Sequence, residues 1–488
     1  MSTGISSNTT SKKMSVPVII IGNGPSGICL SYLLSGFTPY LKDGTVHPNP
    51  ILQSKLEEAA HLPITAQDLE YLSEGLEGRS SSPASLLFDT LLRPNTDFLG
   101  DVDSVLDWKL EPQRAIPHLV LGRDQPGGAW NAIEGSMITL SRGDWMGLPD
   151  FPFKEWTRLK RRNVRNDRST AGDILNYYQC YVKKKKLEHN FLSGAVVTSV
   201  VKVKRGDENS YGTEIYQRDA ELMEGNAHEG SLFKVSGFLK ASCGPRQTFS
   251  FYAENVVLAT GTYDSPSWLG VQGEDLPFVF HQISALEEAI KMGHIQSHSD
   301  PVLIIGAGLT AADAVLLAHH YNIPVVHAFR RRVNDPALIF NQLPHIMYPE
   351  YHKVHQMMKE QSVFEGGPYA GYMSLPEHHL VDFHCDRKCT FSDKHGQRKM
   401  FGISMALVLI GSNPNLSFLP KNGTYLAIDT MQSVNSKRNP LDVDPFSYEC
   451  FQEKGLYALG PLAGDYFVRF VQGGTLAAAS SLLKSQKR

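Results

Sequence analysis

Pro17-Val18-Ile19-Ile20-Ile21-Gly22-Asn23-Gly24-Pro25-Ser26-Gly27 is an apolar run closed by a glycine-rich turn, and it has a counterpart in Pro301-Val302-Leu303-Ile304-Ile305-Gly306-Ala307-Gly308-Leu309-Thr310-Ala311. The β-branched residues of each predict a strand buried on both faces. Gly22 and Gly306 allow a tight turn, and Gly24 and Gly308 let the backbone approach a pyrophosphate. Gly27, and Ala311 almost as well, let the following helix lie close to the strand. That helix offers free N–H groups and a positive dipole end to phosphate. Helix-like sequence follows both turns, Ile28 to Leu34 and Ala312 to Leu317, which is the context such a fingerprint requires. One copy points to a dinucleotide site. Two copies point to two dinucleotides held face to face, as in an enzyme that passes hydride from a nicotinamide to a flavin. The expected fold is α/β, with two dinucleotide-binding Rossmann-like domains in a two-dinucleotide flavoprotein architecture and a helical insertion in the first domain.

Working outward from the two turns gives the expected boundaries. Residues 1–14 are Ser/Thr-rich and read as a disordered tail. Residues 15–268 form the first part of the FAD-binding-like domain, with an insertion at about 37–115. The NADPH-binding domain covers 269–398, and 399–484 complete the FAD-binding-like domain. Strands are expected at Ile116-Pro117-His118-Leu119-Val120-Leu121, Asn255 to Gly261, Ala406 to Gly411 and Gly455 to Gly460. Residues 205–230 are polar and read as a hairpin tip or loose loop. Residues 158–168 and the lysines 183–186 are basic and read as solvated faces, with targeting or binding of an anionic partner as the alternative.

Composition removes several classes. A net charge of -3 gives no domain-wide positive field for nucleic acid. No apolar run reaches the ~20 residues of a membrane span. Six scattered cysteines form no disulfide framework, and the expectation is an intracellular, cytoplasmic protein. No Cys-x-x-Cys is present, which disfavours a dithiol relay. Cys385 and Cys389 lie among His378, His379, His384 and His395, but their irregular spacing reads as a surface loop, and no metal site is expected.

The order of motifs resembles the two-dinucleotide flavoproteins, and among them the flavin-containing and Baeyer–Villiger monooxygenases. The resemblance rests on the first fingerprint, Gly127-Gly128-Ala129-Trp130, Leu148-Pro149-Asp150-Phe151-Pro152, Ala259-Thr260-Gly261 and Gly306-x-Gly308. Over nearly the whole chain the wording is closer still to the oxidative stress-induced growth inhibitor family. The stretches that carry it are Gly22 to Tyr32, Tyr71 to Arg79, Tyr348 to Val354 and Phe467-Val468-Arg469-Phe470. This resemblance implies an NADPH-dependent monooxygenase-like protein linked to growth control and cell division, with protein partners in cytokinesis and a midbody or nuclear location as alternatives.

The strand after the second fingerprint ends in Arg330-Arg331-Arg332, where an NAD site usually has an acid. Arginine there suits a 2′-phosphate, so NADPH is expected over NADH, with Arg330 or Arg331 as the determinant. At the first site the acid that would hold the adenosine ribose of FAD is missing or displaced: Leu121, Gly122 and Arg123 stand in its place. The remaining expected FAD contacts are Gly22, Gly24, Gly27, Gly127, Gly128, Trp130 and Gly261. The resemblance adds Gly464-Asp465, whose acid would bond a ribityl chain, and Gly473-Gly474, which open a helix toward the flavin. It also implies that NADPH reduces the flavin and that O₂ then oxygenates an unidentified substrate. Aligning on Pro149-Asp150 puts Leu140 where the monooxygenases carry an Asn, and leaves the adjacent Ser141 as the catalytic candidate. Leucine cannot hydrogen-bond an oxygen adduct. The alternatives are therefore an NADPH oxidase-like producer of H₂O₂, or a non-catalytic NADPH-sensing regulator.

Overall fold

The computed structural model describes residues 15–98, 102–133, 137–160, 168–204, 231–240, 246–360, 371–466 and 469–486. The expected tail 1–14, the loop 205–230, most of the basic stretch at 161–167, and Phe467-Val468 lie outside the described residues. Mixed α/β structure divides into two compact units, Met1–Thr262 with Pro414–Arg488, and Tyr263–Asn413.

The first unit is built on Ser15–Ile21, which has parallel partners on both sides. Ile19 pairs with Leu119 in His118–Gly122 and with Val256 in Gln247–Leu258. The sheet extends through Phe191–Ser193 on one flank, and on the other through the antiparallel strands Ser231–Leu239 and Ala195–Lys204. Leu456–Ala458 pairs in parallel with the end of Gln247–Leu258, bringing the C-terminal segment to the centre of the sheet. Ile19, Ile20, Val256 and Val257 are fully buried, which explains their unbroken apolar run.

Residues 37–110 leave and re-enter this unit through an antiparallel pair, Phe37–Leu41 with Leu106–Leu110. Between them lie helices Pro50–Glu58, Leu69–Ser73 and Pro83–Leu92. Asn49 and Asp68 cap the first two, each side chain accepting two N–H bonds. Leu52, Leu56, Leu69, Leu87 and Leu91 share one core with the first fingerprint helix and with Leu476 and Leu482 of the C-terminal helix Gly474–Ser485. This segment is part of the unit's core and not an appendage.

In the second unit Val302–Ile305 lies between Met405–Val408 and Val325–Phe329, with Val279–Phe280 and Tyr372–Pro376 at the edges, and every pairing within this five-stranded sheet is parallel. The unit is wider than the expected 269–398. Met405–Val408 pairs with the second fingerprint strand, so residues up to Asn413 group with it.

Glycine is required at the turns by close backbone approach. A Cβ on Gly27 would lie 2.0 Å from the Gly22 carbonyl oxygen, and one on Gly22 would lie 2.2 Å from Ala259 O. Gly27→Ala should therefore lower the unfolding free energy by about 2 kcal/mol, in the range for overpacked cores. An unchanged urea midpoint in that variant would show that the turn has room to spare.

Candidate functional site

The second turn is open. Gly306 has φ +132°, and a Cβ there would meet Leu409 O at 2.3 Å. Gly308 begins helix Leu309–His320 with no side-chain cap, and nothing lies within 4 Å of where its Cβ would be. The N–H groups of Ala307 and Gly308 make no hydrogen bond among the described residues. Free N–H donors, a helix N-terminus and open space together form a place for an anion. Ala311 is fully buried and clears Gly306, since the two Cβ positions would be 3.7 Å apart.

The next strand, Val325–Phe329, delivers the three arginines. Arg331 pairs with Asp335 at 3.0 Å and Arg332 with Glu377 at 3.1 Å. Arg330 is exposed and has no ion-pair partner among the described residues. Of the two arginines expected here, Arg330 is the uncommitted one.

On the same strand His327 is fully buried. Its Nε2 donates to Gly306 O at 2.7 Å, and its Nδ1 accepts from the Tyr372 hydroxyl at 2.8 Å. A carbonyl can only accept, so this geometry sets the tautomer. Burial holds the imidazole pKa down at about 4.

The first turn is more enclosed. Gly22 has φ +116°, and Gly24 starts helix Pro25–Leu34 without a side-chain cap. Gly128 lies so near that its Cβ would be 2.7 Å from the Gly24 Cα. Gly127 N donates to Asn23 O at 2.9 Å, and Trp130 packs half-buried on the core. Beyond the neighbouring strand, Gly261 has nothing within 4 Å of its Cβ position, and the buried hydroxyls of Thr260 and Thr262 have no hydrogen-bond partner among the described residues. Unsatisfied hydroxyls beside a glycine turn suit the phosphate end of a dinucleotide.

The ribose end differs. A Cβ on Gly122 would lie 1.9 Å from Asn23 Nδ2, so the amide of Asn23 fills the space beside the strand end. That amide donates to Asp124 O at 2.7 Å. The Asp124 carboxylate turns away to Lys240 at 2.7 Å, with both side chains about half exposed.

Asp465 faces inward, not toward open space. Its carboxylate accepts from Tyr448 at 2.7 Å and Ser85 at 2.9 Å, and it is 3% exposed. Burial pushes its pKa up to about 6. Ser85 and the Tyr448 ring also stand against Gly473 and Gly474, at 2.4 and 2.2 Å from their Cβ positions. Those two glycines are needed for this close fit. Ser141 lies buried in Ile138–Arg142, on the opposite face from half-buried Leu140, and its hydroxyl has no base bonded to it among the described residues. Cys29, Cys389 and Cys450 are buried thiols pushed up to about 12, too high for nucleophilic chemistry at neutral pH.

Sequence reasoning passed over Asn23, Thr260, Thr262, Gly411 and His327 as site residues. Gly411 is the counterpart of Gly261, with φ +98° against +73° and open space at both. Their common position after the strand beside each fingerprint is a signal that pairing the two units would have revealed.

No protein-family model matches the chain. It is 60% identical over 473 residues to oxidative stress-induced growth inhibitor 1 of Mus musculus, covering 97% of this chain and 96% of that one. Among solved structures it is similar to bacillithiol disulfide reductase from Bacillus cereus, with a TM-score of 0.57 at 15% identity, covering 97% of this chain and all of that one. L-lysine 6-monooxygenase from Pseudomonas syringae matches with a TM-score of 0.52 at 12% identity, covering 97% and 100%. At these identities the structural likeness speaks to the fold alone, which this chain shares with that reductase and that monooxygenase.

Two buried groups set opposite pH trends. His327 is held below its unfolded value near 6.5, so the stability it permits is complete above that pH and is lost as pH falls toward 4. Asp465 is raised above its unfolded value near 3.9, so its contribution is complete below that pH and is lost as pH rises through about 6. Asp465→Asn should gain on the wild type by on the order of 2 kcal/mol between pH 4 and pH 8. Parallel urea titrations at the two pH values measure this, and a difference that stays flat would mean that Asp465 titrates normally.

Proposed function

The chain belongs to the oxidative stress-induced growth inhibitor family, and we propose that it is an NADPH-dependent flavoprotein oxidoreductase of the monooxygenase type. The observation that carries this reading is the open second turn, where unbonded amides of Ala307 and Gly308 sit beside the start of a helix and the uncommitted Arg330 follows the next strand. In this reading the amides and the helix N-terminus hold the pyrophosphate of NADPH. Arg330 pairs with the 2′-phosphate that distinguishes it from NADH.

In the first unit Gly24, Gly128, Thr260 and Thr262 would hold the phosphate end of FAD. FAD, when bound, supplies hydride acceptance and reaction with O₂. Asp465, Gly473 and Gly474 are given no cofactor contact, because Ser85 and Tyr448 already occupy them. Gly122 offers no carboxylate to the adenosine ribose. FAD affinity then rests on the phosphate contacts and on Trp130, and is weaker by roughly one charge-assisted bond, about 1.5–3 kcal/mol.

A second reading is favoured by Leu140, whose hydrocarbon side chain cannot hydrogen-bond an oxygen adduct. In that reading NADPH oxidation ends in H₂O₂ and not in an oxygenated product. The family name supports a place in the response to oxidative stress and in growth inhibition, and regulation of cytokinesis through protein partners belongs to the same proposal.

An absorbance spectrum after adding FAD, followed by anaerobic NADPH titration, tests the reading. Bleaching near 450 nm and recovery in air are expected. NADPH binding without any flavin reduction would leave a nucleotide-sensing regulator in its place. Arg330→Ala should raise the Kd for NADPH about tenfold or more and leave that for NADH unchanged, as expected for loss of one charged pair. Equal loss for both nucleotides would remove Arg330 from the 2′-phosphate.

A further inference from the structure

We infer that His327 is a positioning residue for the second nucleotide turn: by donating to Gly306 O it fixes the Gly306–Ala307 peptide so that the Ala307 N–H faces the pyrophosphate of NADPH. This rests on the functional reading above and extends it to a residue with no ligand contact of its own.

The remaining positions of Val325–Phe329 are Val325, Val326, Ala328 and Phe329, all buried and all apolar. An imidazole among them costs desolvation that a leucine or phenylalanine would avoid. Both of its nitrogens are engaged, one by the turn and one by Tyr372 on the adjoining strand Tyr372–Pro376. Without this donor the buried carbonyl of Gly306 would lose its side-chain partner. A carbonyl that accepts a hydrogen bond also polarises its own amide, which strengthens the N–H at the other end of the same peptide. That N–H belongs to Ala307 and has no partner among the described residues. The chain of donors thus runs from the Tyr372 hydroxyl through His327 to the one peptide that leads into the open cradle.

The full-length protein and its variants His327→Phe, His327→Gln and Tyr372→Phe test this through the Kd for NADPH and, separately, for 2′-AMP. The second ligand carries the 2′-phosphate for Arg330 but no pyrophosphate for the turn. His327→Phe keeps the ring volume and removes both nitrogens. It should weaken NADPH about tenfold while 2′-AMP stays within about twofold. Glutamine places an amide N–H near the Nε2 position, and His327→Gln should recover most of the loss. Tyr372→Phe should fall between the two.

NADPH binding by His327→Phe within about twofold of the wild type would overturn the inference. So would parallel weakening of NADPH and 2′-AMP, which signals general loosening of the unit. Should His327→Phe fail to fold, Tyr372→Phe decides: weaker NADPH with unchanged 2′-AMP supports the role, and no change in either defeats it. Wild-type protein that binds no NADPH defeats the functional reading itself. Wild-type binding with insensitive variants defeats only the role of His327.

Discussion

Both units depend on one steric constraint, the approach of a turn to the carbonyl at the end of the neighbouring parallel strand. A side chain at Gly22 would meet Ala259 O at 2.2 Å, and one at Gly306 would meet Leu409 O at 2.3 Å. The two numbers agree because the geometry is the same: a buried parallel strand, a residue at positive φ, and a helix that starts at once. Everything downstream inherits that placement. The helices begin where their first N–H groups have no intrahelical partner, and the strands on either side end at the same level. Gly261 and Gly411 complete the pattern on the far side of each turn, both left-handed and both facing open space.

From this shared frame the two sites diverge through their neighbours. Around Gly308 nothing intrudes, and the cations that follow are sorted by pairing, Arg331 and Arg332 being held by carboxylates. Around Gly24 the second glycine pair closes in from Gly128, and Asn23 takes the space beside Gly122. Similar fingerprints therefore give an open cradle in one unit and a narrow one in the other. The difference lies in residues outside the fingerprint.

The sequence makes the fold legible because its apolar runs are long and its glycines stand at fixed offsets. The central strands, the order of motifs and the arginine cluster are all readable in one dimension. The missing ribose acid is readable too, since Leu121-Gly122-Arg123 contains no carboxylate. The fate of Asp465 is not. Gly464-Asp465 matches a flavin motif locally, but its carboxylate is engaged by Ser85, 380 positions away in sequence. Likewise His327 reads as one polar residue in an apolar strand until Tyr372 and Gly306 are brought beside it by pairing. Local spacing carries backbone geometry well, and it carries long-range partners of polar side chains poorly.

Those long-range partners explain why the first unit cannot be treated as a nucleotide fold with a detachable insertion. Arg469 is 2% exposed and reaches Asp97 at 2.6 Å and Asp89 at 3.3 Å. Its guanidinium also lies 5.1 Å from the Trp145 ring. A buried guanidinium is tolerated only while its carboxylates stay in place, because removing either partner leaves an uncompensated charge in low dielectric. Asp89 and Asp97 belong to the segment between Phe37 and Leu110, and Arg469 belongs to the approach to the C-terminal helix. The same two stretches meet again where Ser85 and Tyr448 donate to Asp465. Charge pairing and hydroxyl bonding thus tie this segment to the stretch that leads into the C-terminal helix Gly474–Ser485. The placement of that helix depends on residues 80–97 as much as on the glycine turn that defines the fold.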